Sequence, residues 1–221
     1  MKKKLLLILS AFMGTMAMAQ QQPSFGVRMG VTASGMQGDA VSSLNNLLDY
    51  TKGSVTTGTH TGFFAGAYTH IPVSDYVAIE PALYYTQKGY EMNGALNIKG
   101  AEFLGMNAKA LLNTQYIDLP VVVKGTFNGF EVFAGPQVSY LAAADLKTTA
   151  GLLGFNVLNS KTDATAQLNK WDAAITGGIG YRFTNGLNIM ASYDHGLMKT
   201  DANQNMNAYN RSLKVGVGFT F

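Results

Sequence analysis

The sequence predicts an all-β protein: an eight-stranded antiparallel transmembrane β-barrel, an up-and-down meander with short turns on one side and long loops on the other. Three observations carry this. The last stretch, R-S-L-K-V-G-V-G-F-T-F at 211–221, puts Leu213, Val215, Val217, Phe219 and Phe221 on one face and Lys214, Gly216, Gly218 and Thr220 on the other. That is the period-two alternation of a strand with one greasy side. Seven further stretches precede it, and the connections between them alternate long and short, the pattern of membrane-spanning barrels.

Residues 1–19 stand apart from the barrel. Lys2, Lys3 and Lys4 precede an apolar run at 5–13, and Ala17 and Ala19 frame a small-x-small site before Gln20, so this segment reads as a cleaved export signal. The run is shorter than the roughly 20 residues that a membrane-spanning helix needs. The barrel domain is then 20–221. Cysteine is absent, which excludes a lipid-anchored cysteine and any disulfide support. Removing the three leader lysines from 16 basic residues leaves 13 against 13 acidic ones. A neutral mature chain with no basic patch gives no reason to expect nucleic acid as a partner.

The strands follow in order. The first, 24–34, turns Phe25, Val27, Met29 and Val31 outward and Arg28 inward. A long connection at 35–60 holds Ser43 as a cap for a short helix with Leu44, Leu47 and Leu48. Strand two, 61–71, is ambiguous in face because Phe63 and Phe64 are adjacent. After a tight turn at 72–75, strand three, 76–90, turns Val77, Ile79, Leu83 and Tyr85 outward and Glu80 inward. Asn93 and Gly94, in the connection at 91–112, form a hairpin-turn signal. Strand four, 113–126, turns Ile117, Leu119, Val121 and Val123 out and Asp118 and Lys124 in. Strand five, 130–146, turns Val132, Ala134, Val138 and Tyr140 out and Glu131 in. Strand six, 171–183, buries Arg182, and strand seven, 187–198, buries Asp194.

An even strand number places both termini on one side, expected to be the periplasm. Phe127, Phe130, Phe183 and Phe221 gather at the tight-turn ends and Tyr85, Tyr140, Trp171 and Tyr193 toward the loops, as two interfacial girdles would. A soluble eight-stranded barrel of lipocalin type would reverse the faces. The aromatic terminus, the loop asymmetry and the mid-strand charges on the non-greasy face favour the membrane.

Four stretches carry a family resemblance. Y-I-D-L-P-V-V-V-K at 116–124, L-Y-Y-T-Q-K-G at 83–89 and F-A-G-P-Q-V-S-Y-L at 133–141 resemble consecutive strands of the PorT-like outer-membrane β-barrel family of Bacteroidetes-type bacteria. The C-terminal strand, with Lys214, Gly216, Phe219 and Phe221, resembles the signal by which outer-membrane barrels are recognised for assembly. The resemblance implies residence in the outer membrane among lipid and lipopolysaccharide, insertion by the barrel-assembly machinery, and no particular activity.

The chemistry on offer is a set of inward charges: Arg28, Glu80, Asp118, Lys124, Glu131, Arg182, Asp194 and Lys214. Eight strands enclose a space that side chains just fill, and unpaired buried charges are costly, so these residues are expected to form a salt-bridged plug. The alternative is a small-solute or ion pore. A third reading is a rim enzyme acting on lipid or lipopolysaccharide. Asp194 and His195 are neighbours near the outer rim, yet adjacent strand residues face opposite ways. His60 in a loop and His70 near a turn show no metal-ligand spacing, and no nucleophile motif is present. No cofactor, metal or catalytic residue is therefore expected. The long loops carry Leu104, Met106, Leu111 and Leu112, then Leu152, Leu153, Phe155, Val157 and Leu158. They read as strand-extending hairpins suited to binding a protein or hydrophobic ligand.

Overall fold

The computed structural model describes residues 22–38, 54–96, 106–152, 155–201 and 207–221. Nine strands form one antiparallel sheet: β1 (Ser24–Gln37), β2 (Ser54–Pro72), β3 (Val77–Leu96), β4 (Met106–Phe127), β5 (Phe130–Leu152), β6 (Phe155–Asp163), β7 (Trp171–Arg182), β8 (Leu187–Lys199) and β9 (Tyr209–Thr220). Their order is β4-β3-β2-β1-β9-β8-β7-β5-β6, and an additional β4–β5 pairing closes the ring. Eight strands thus make a closed barrel, and among the described residues β6 is a ninth strand that pairs with β5 alone. First and last barrel strands join in a continuous ladder from Gly26↔Thr220 to Gln37↔Tyr209. Closure is what bilayer physics demands, since an open strand edge in hydrocarbon leaves backbone groups without partners.

β1 begins and β9 ends at the same end of the barrel, where the tight turns lie. The turn between β4 and β5 is only two residues long. Asn128 and Gly129 both have positive φ, 50° and 83°, as a two-residue turn between right-twisted strands requires.

The alternation read from sequence is the alternation of the wall. Phe25, Val27, Met29 and Val31 lie outside, as do Leu213, Val215, Val217 and Phe219, while Arg28 and Lys214 are buried. The ambiguity in β2 is settled by a split: Phe63 is outside against Tyr85 at 5.6 Å, and Phe64 is inside and 1% exposed.

Several local expectations fail, each because the ladder outranks a short signal. His60 is in β2, paired with Ser34, and not in a loop. Asn93 and Gly94 do not turn; they continue β3 and face Lys109 and Ala108 of β4. By contrast, the third long connection extends the strands as a hairpin, as expected, with β5 running to Leu152 and returning as β6. Leu111 and Leu112 likewise belong to β4. The expected leader, the capped helix at 43–48, Leu104 and Leu153 lie outside the described residues.

Two aromatic bands circle the exterior. At the turn end, Tyr181 and Phe183 meet at 4.9 Å and Phe219 and Phe221 at 5.5 Å. At the loop end, Tyr140 and Trp171 meet at 5.1 Å. On β5 the bands are marked by Phe130 and Tyr140. Ten residues rise ~34 Å along a strand, which at a tilt of ~40° is ~26 Å along the normal, the height of an outer-membrane apolar band. Trp171 is the only tryptophan, so its fluorescence reports this placement. In vesicles of brominated lipids, quenching should be strongest for bromines near the headgroups; strongest quenching at the bilayer centre would contradict the girdle.

Candidate functional site: the charged lumen

Inward side chains stack in three layers. Nearest the turns, Glu80 on β3 is a hub. Its Oε1 lies 2.9 Å from Arg28 Nη1, and its Oε2 lies 2.7 Å from Lys124 Nζ, 4.0 Å from Arg182 Nη2 and 3.9 Å from His70 Nδ1. Glu131 takes Lys124 at 3.0 Å and Arg182 at 2.9 Å. Arg28 also donates to Tyr84 Oη at 2.8 Å and to Asn188 Oδ1 at 3.2 Å. Asn188 Nδ2 in turn donates to Tyr68 Oη at 2.7 Å, and Tyr68 Oη lies 2.7 Å from Thr220 Oγ1. Each of the eight barrel strands contributes to this layer: Arg28, Tyr68, Glu80, Lys124, Glu131, Arg182, Asn188 and Thr220 come from β1, β2, β3, β4, β5, β7, β8 and β9 in turn. The network therefore ties the ring together across its diameter.

The middle layer is apolar: Phe64, Ala82, Tyr84, Val122, Phe133 and Met190. Phe64 and Tyr84 meet edge to face, 5.5 Å between ring centres. Where the belt has large residues on some strands it has glycine on others. A Cβ on Gly30 would come within 2.7 Å of Phe64 Cε1, and one on Gly178 within 2.7 Å of Phe133 Cζ. Bulk facing absence of bulk lets rings reach across a narrow barrel.

In the loop-side layer, Asp118 takes Lys88 at 3.1 Å and Lys214 at 2.9 Å, and Lys214 also reaches Asp194 at 2.8 Å. Four of the lumen cations lie near a ring: Arg28 near Tyr68 at 4.1 Å, Lys88 near Tyr116 at 4.8 Å, Lys124 near Phe133 at 5.4 Å and Lys214 near Phe64 at 5.9 Å. Such contacts gain strength where water is scarce. Above this layer Tyr116, Leu141 and Ala144 are roofed by Ala164 and Leu168. The segment that supplies the roof is tied on both sides, Ala164 N to the Ala144 carbonyl at 2.9 Å and Asn169 N to the Thr200 carbonyl at 2.8 Å.

All eight inward charges expected from sequence lie in these layers, within two networks separated by the apolar belt. Sequence reasoning missed Lys88, although it shares strand parity with Glu80. It also missed the role of His70, which was read only as lying near a turn. His70 instead meets Arg182 Nη2 at 3.1 Å inside the turn-side layer. Asp194 and His195 part as alternation requires: Asp194 is buried, and the His195 ring lies outside, 6.2 Å from the Tyr193 ring. Among the described residues no cluster of metal-ligating side chains occurs. Lys214 and Gly216 face the lumen and Phe219 and Phe221 the exterior.

A closed barrel with a greasy exterior, two aromatic bands and a charged interior is an integral outer-membrane protein. The family described as Outer membrane protein beta-barrel domain matches residues 18–202, and the chain belongs to it. The narrower PorT-like likeness is not distinguished by that match. Among solved structures, the attachment invasion locus protein Ail of Yersinia pestis is similar at 12% identity, with 91% of this chain and 100% of that one covered and a TM-score of 0.43. Neisserial surface protein A is similar at 15% identity, 91% and 100% coverage and a TM-score of 0.42. The outer membrane protease OmpT from Escherichia coli is similar at 11% identity, 90% and 93% coverage and a TM-score of 0.36. No curated protein sequence matches the chain.

Proposed function

We propose that this protein is a non-conducting outer-membrane barrel that acts through the structure raised above its long-loop rim. The leader at 1–19 is removed on export, both termini lie in the periplasm, and the C-terminal strand is what the assembly machinery reads. The observation that carries the reading is the turn-side network, in which all eight barrel strands send side chains into one bonded layer. Together with the apolar belt above it, this layer supports a barrel sealed along its axis. Among the described residues, five lumen cations (Arg28, Lys88, Lys124, Arg182 and Lys214) are matched by five carboxylates (Glu80, Asp118, Glu131, Asp172 and Asp194). The lumen is thus neutral and has no selectivity ring of one sign.

Function then falls to the upper wall. Beyond the ladder rung at Ser34↔His60, strands β2, β3, β4, β5 and β6 continue as an upright sheet. Among the described residues β6 pairs on one side only, so its outer edge presents backbone groups in register for an extended partner strand. Strand addition of this kind takes affinity from main-chain hydrogen bonds. The rim charges are paired along the sheet, Lys109 with Glu91 at 2.6 Å and Lys161 with Asp145 at 3.1 Å. Neither sign dominates there, which fits recognition by backbone rather than by charge.

The test is single-channel recording of the refolded mature protein in planar bilayers, beside a heat-modifiability gel that reports folding. A heat-shifted band with no steady conductance is the expected result. Discrete openings that change in Glu131→Gln or Arg182→Gln would replace this reading with a small-solute pore.

A further inference from the structure

The ten lumen charges cancel as a set, but not layer by layer. The turn-side layer holds Arg28, Lys124 and Arg182 against Glu80 and Glu131. The loop side holds Lys88 and Lys214 against Asp118, Asp194 and Asp172. Among the described residues, every lumen carboxylate but one has a cation within 3.1 Å; the exception is Asp172.

Asp172 lies on the first inward position of β7, beside Trp171 and therefore level with the loop-side girdle. It is 6% exposed. Its donors are neutral: Asn210 Nδ2 reaches Oδ2 at 2.8 Å, and the backbone N–H of Ala173 is close by. Oδ1 has no hydrogen-bond partner of good geometry among the described residues. Lys88, which interacts with it through space, is held by Asp118 at 3.1 Å. Asn210 is itself placed by a contact to Tyr116 Oη at 3.4 Å. The result is a buried carboxylate with one oxygen engaged by neutral groups, the other unengaged, and a side one positive charge short. A buried carboxylate without a cation is the costly arrangement that folded proteins avoid.

We propose that Asp172, with Asn210 as its positioning partner, is a binding site for one singly charged cationic group that enters from the loop side. Two sources share that chemistry, a protonated amine and an alkali cation. The single unengaged oxygen suits an N–H donor, whereas the described residues offer no cluster of carboxylates or imidazoles for a multivalent metal. This site is independent of the strand-addition surface, and its failure would leave that reading intact.

The test uses the refolded full mature chain and follows the Asn210 side-chain amide by NMR at fixed ionic strength and pH. Methylammonium, potassium and the bulky N-methylglucamine ion are titrated in turn. A saturable shift of the Asn210 resonance with methylammonium is expected, at least tenfold weaker with N-methylglucamine. It should vanish in Asp172→Asn and persist in Asp194→Asn. An equal response to potassium would assign the site to simple monovalent cations, within the same proposal. No saturable shift with any cation, or the same shift in Asp172→Asn, overturns it and leaves Asp172 as a protonated structural acid. The heat-modifiability band shows in each variant that the barrel has formed.

Discussion

Replacing Glu80 with alanine is expected to destabilise the folded barrel by about 3–5 kcal/mol, the cost of breaking a buried ion pair from one side. The magnitude follows from what is stranded. Glu80, Arg28 and Lys124 have side chains only 3%, 5% and 2% exposed. Without the carboxylate, Arg28 keeps neutral partners in Tyr84 and Asn188, and Lys124 keeps Glu131 as its one carboxylate among the described residues. Urea unfolding in lipid vesicles, followed by the loss of heat-modifiability, measures the loss. A paired change that removes both charges, Glu80→Leu with Arg28→Met, should cost less than Glu80→Ala alone, because shape-matched apolar replacement strands no charge. If Glu80→Ala costs under about 1 kcal/mol, the layer behaves like solvated surface pairs. The lumen would then be wet, and the sealed barrel of the proposed function would fall with it.

That dependence shows where the sequence was informative. Alternation assigns faces wherever a strand has one greasy side, which is why Arg28, Asp118, Lys124 and Lys214 could be placed inside before any geometry. Pairing is another matter. Nothing along the chain says that Glu80 rather than Asp118 meets Arg28, because partners 52 residues apart are chosen by the tilt and stagger of the closed ring. Local turn signals were overruled for a similar reason. Asn93 and Gly94 favour a hairpin in isolation, but β3 and β4 pair without a break from Gly89↔Asn113 to Leu96↔Met106, and the ladder gains more than an early turn. β6 was legible only as part of a hairpin raised above the rim; its bounds and register are set by its partner β5.

The inward aromatics were the larger omission, and their signal lay on other strands. Phe64 occupies the lumen because β1 and β9 supply glycine where its ring crosses, at Gly30 and Gly216. In sequence these glycines read only as small residues on the polar face. Seen across the closed barrel they are the complement of an aromatic side chain, a fit of bulk to gap that holds only when first and last strands are neighbours.

This complementarity makes the second large effect. A Cβ on Gly216 would stand 2.6 Å from Phe64 Cζ and 2.8 Å from the Met29 carbonyl oxygen. Gly216→Val is therefore expected to cost on the order of 3 kcal/mol, the upper range for overfilling a packed interior. Phe64→Ala, which empties the centre of the apolar belt, should cost about 3–5 kcal/mol. Combined, the two should cost less than their sum by about 0.5–3 kcal/mol, since the added methyls enter the space that the ring has left. Urea midpoints of the three variants decide this, and strict additivity would mean that the ring and the β9 backbone do not meet. The belt and the ionic layers can also be separated by conductance. Phe64→Ala leaves the Glu80 layer below and the Asp118 layer above unbroken, so it should remain electrically silent although less stable. Steady current through that variant would move the seal from the charges to the aromatic ring.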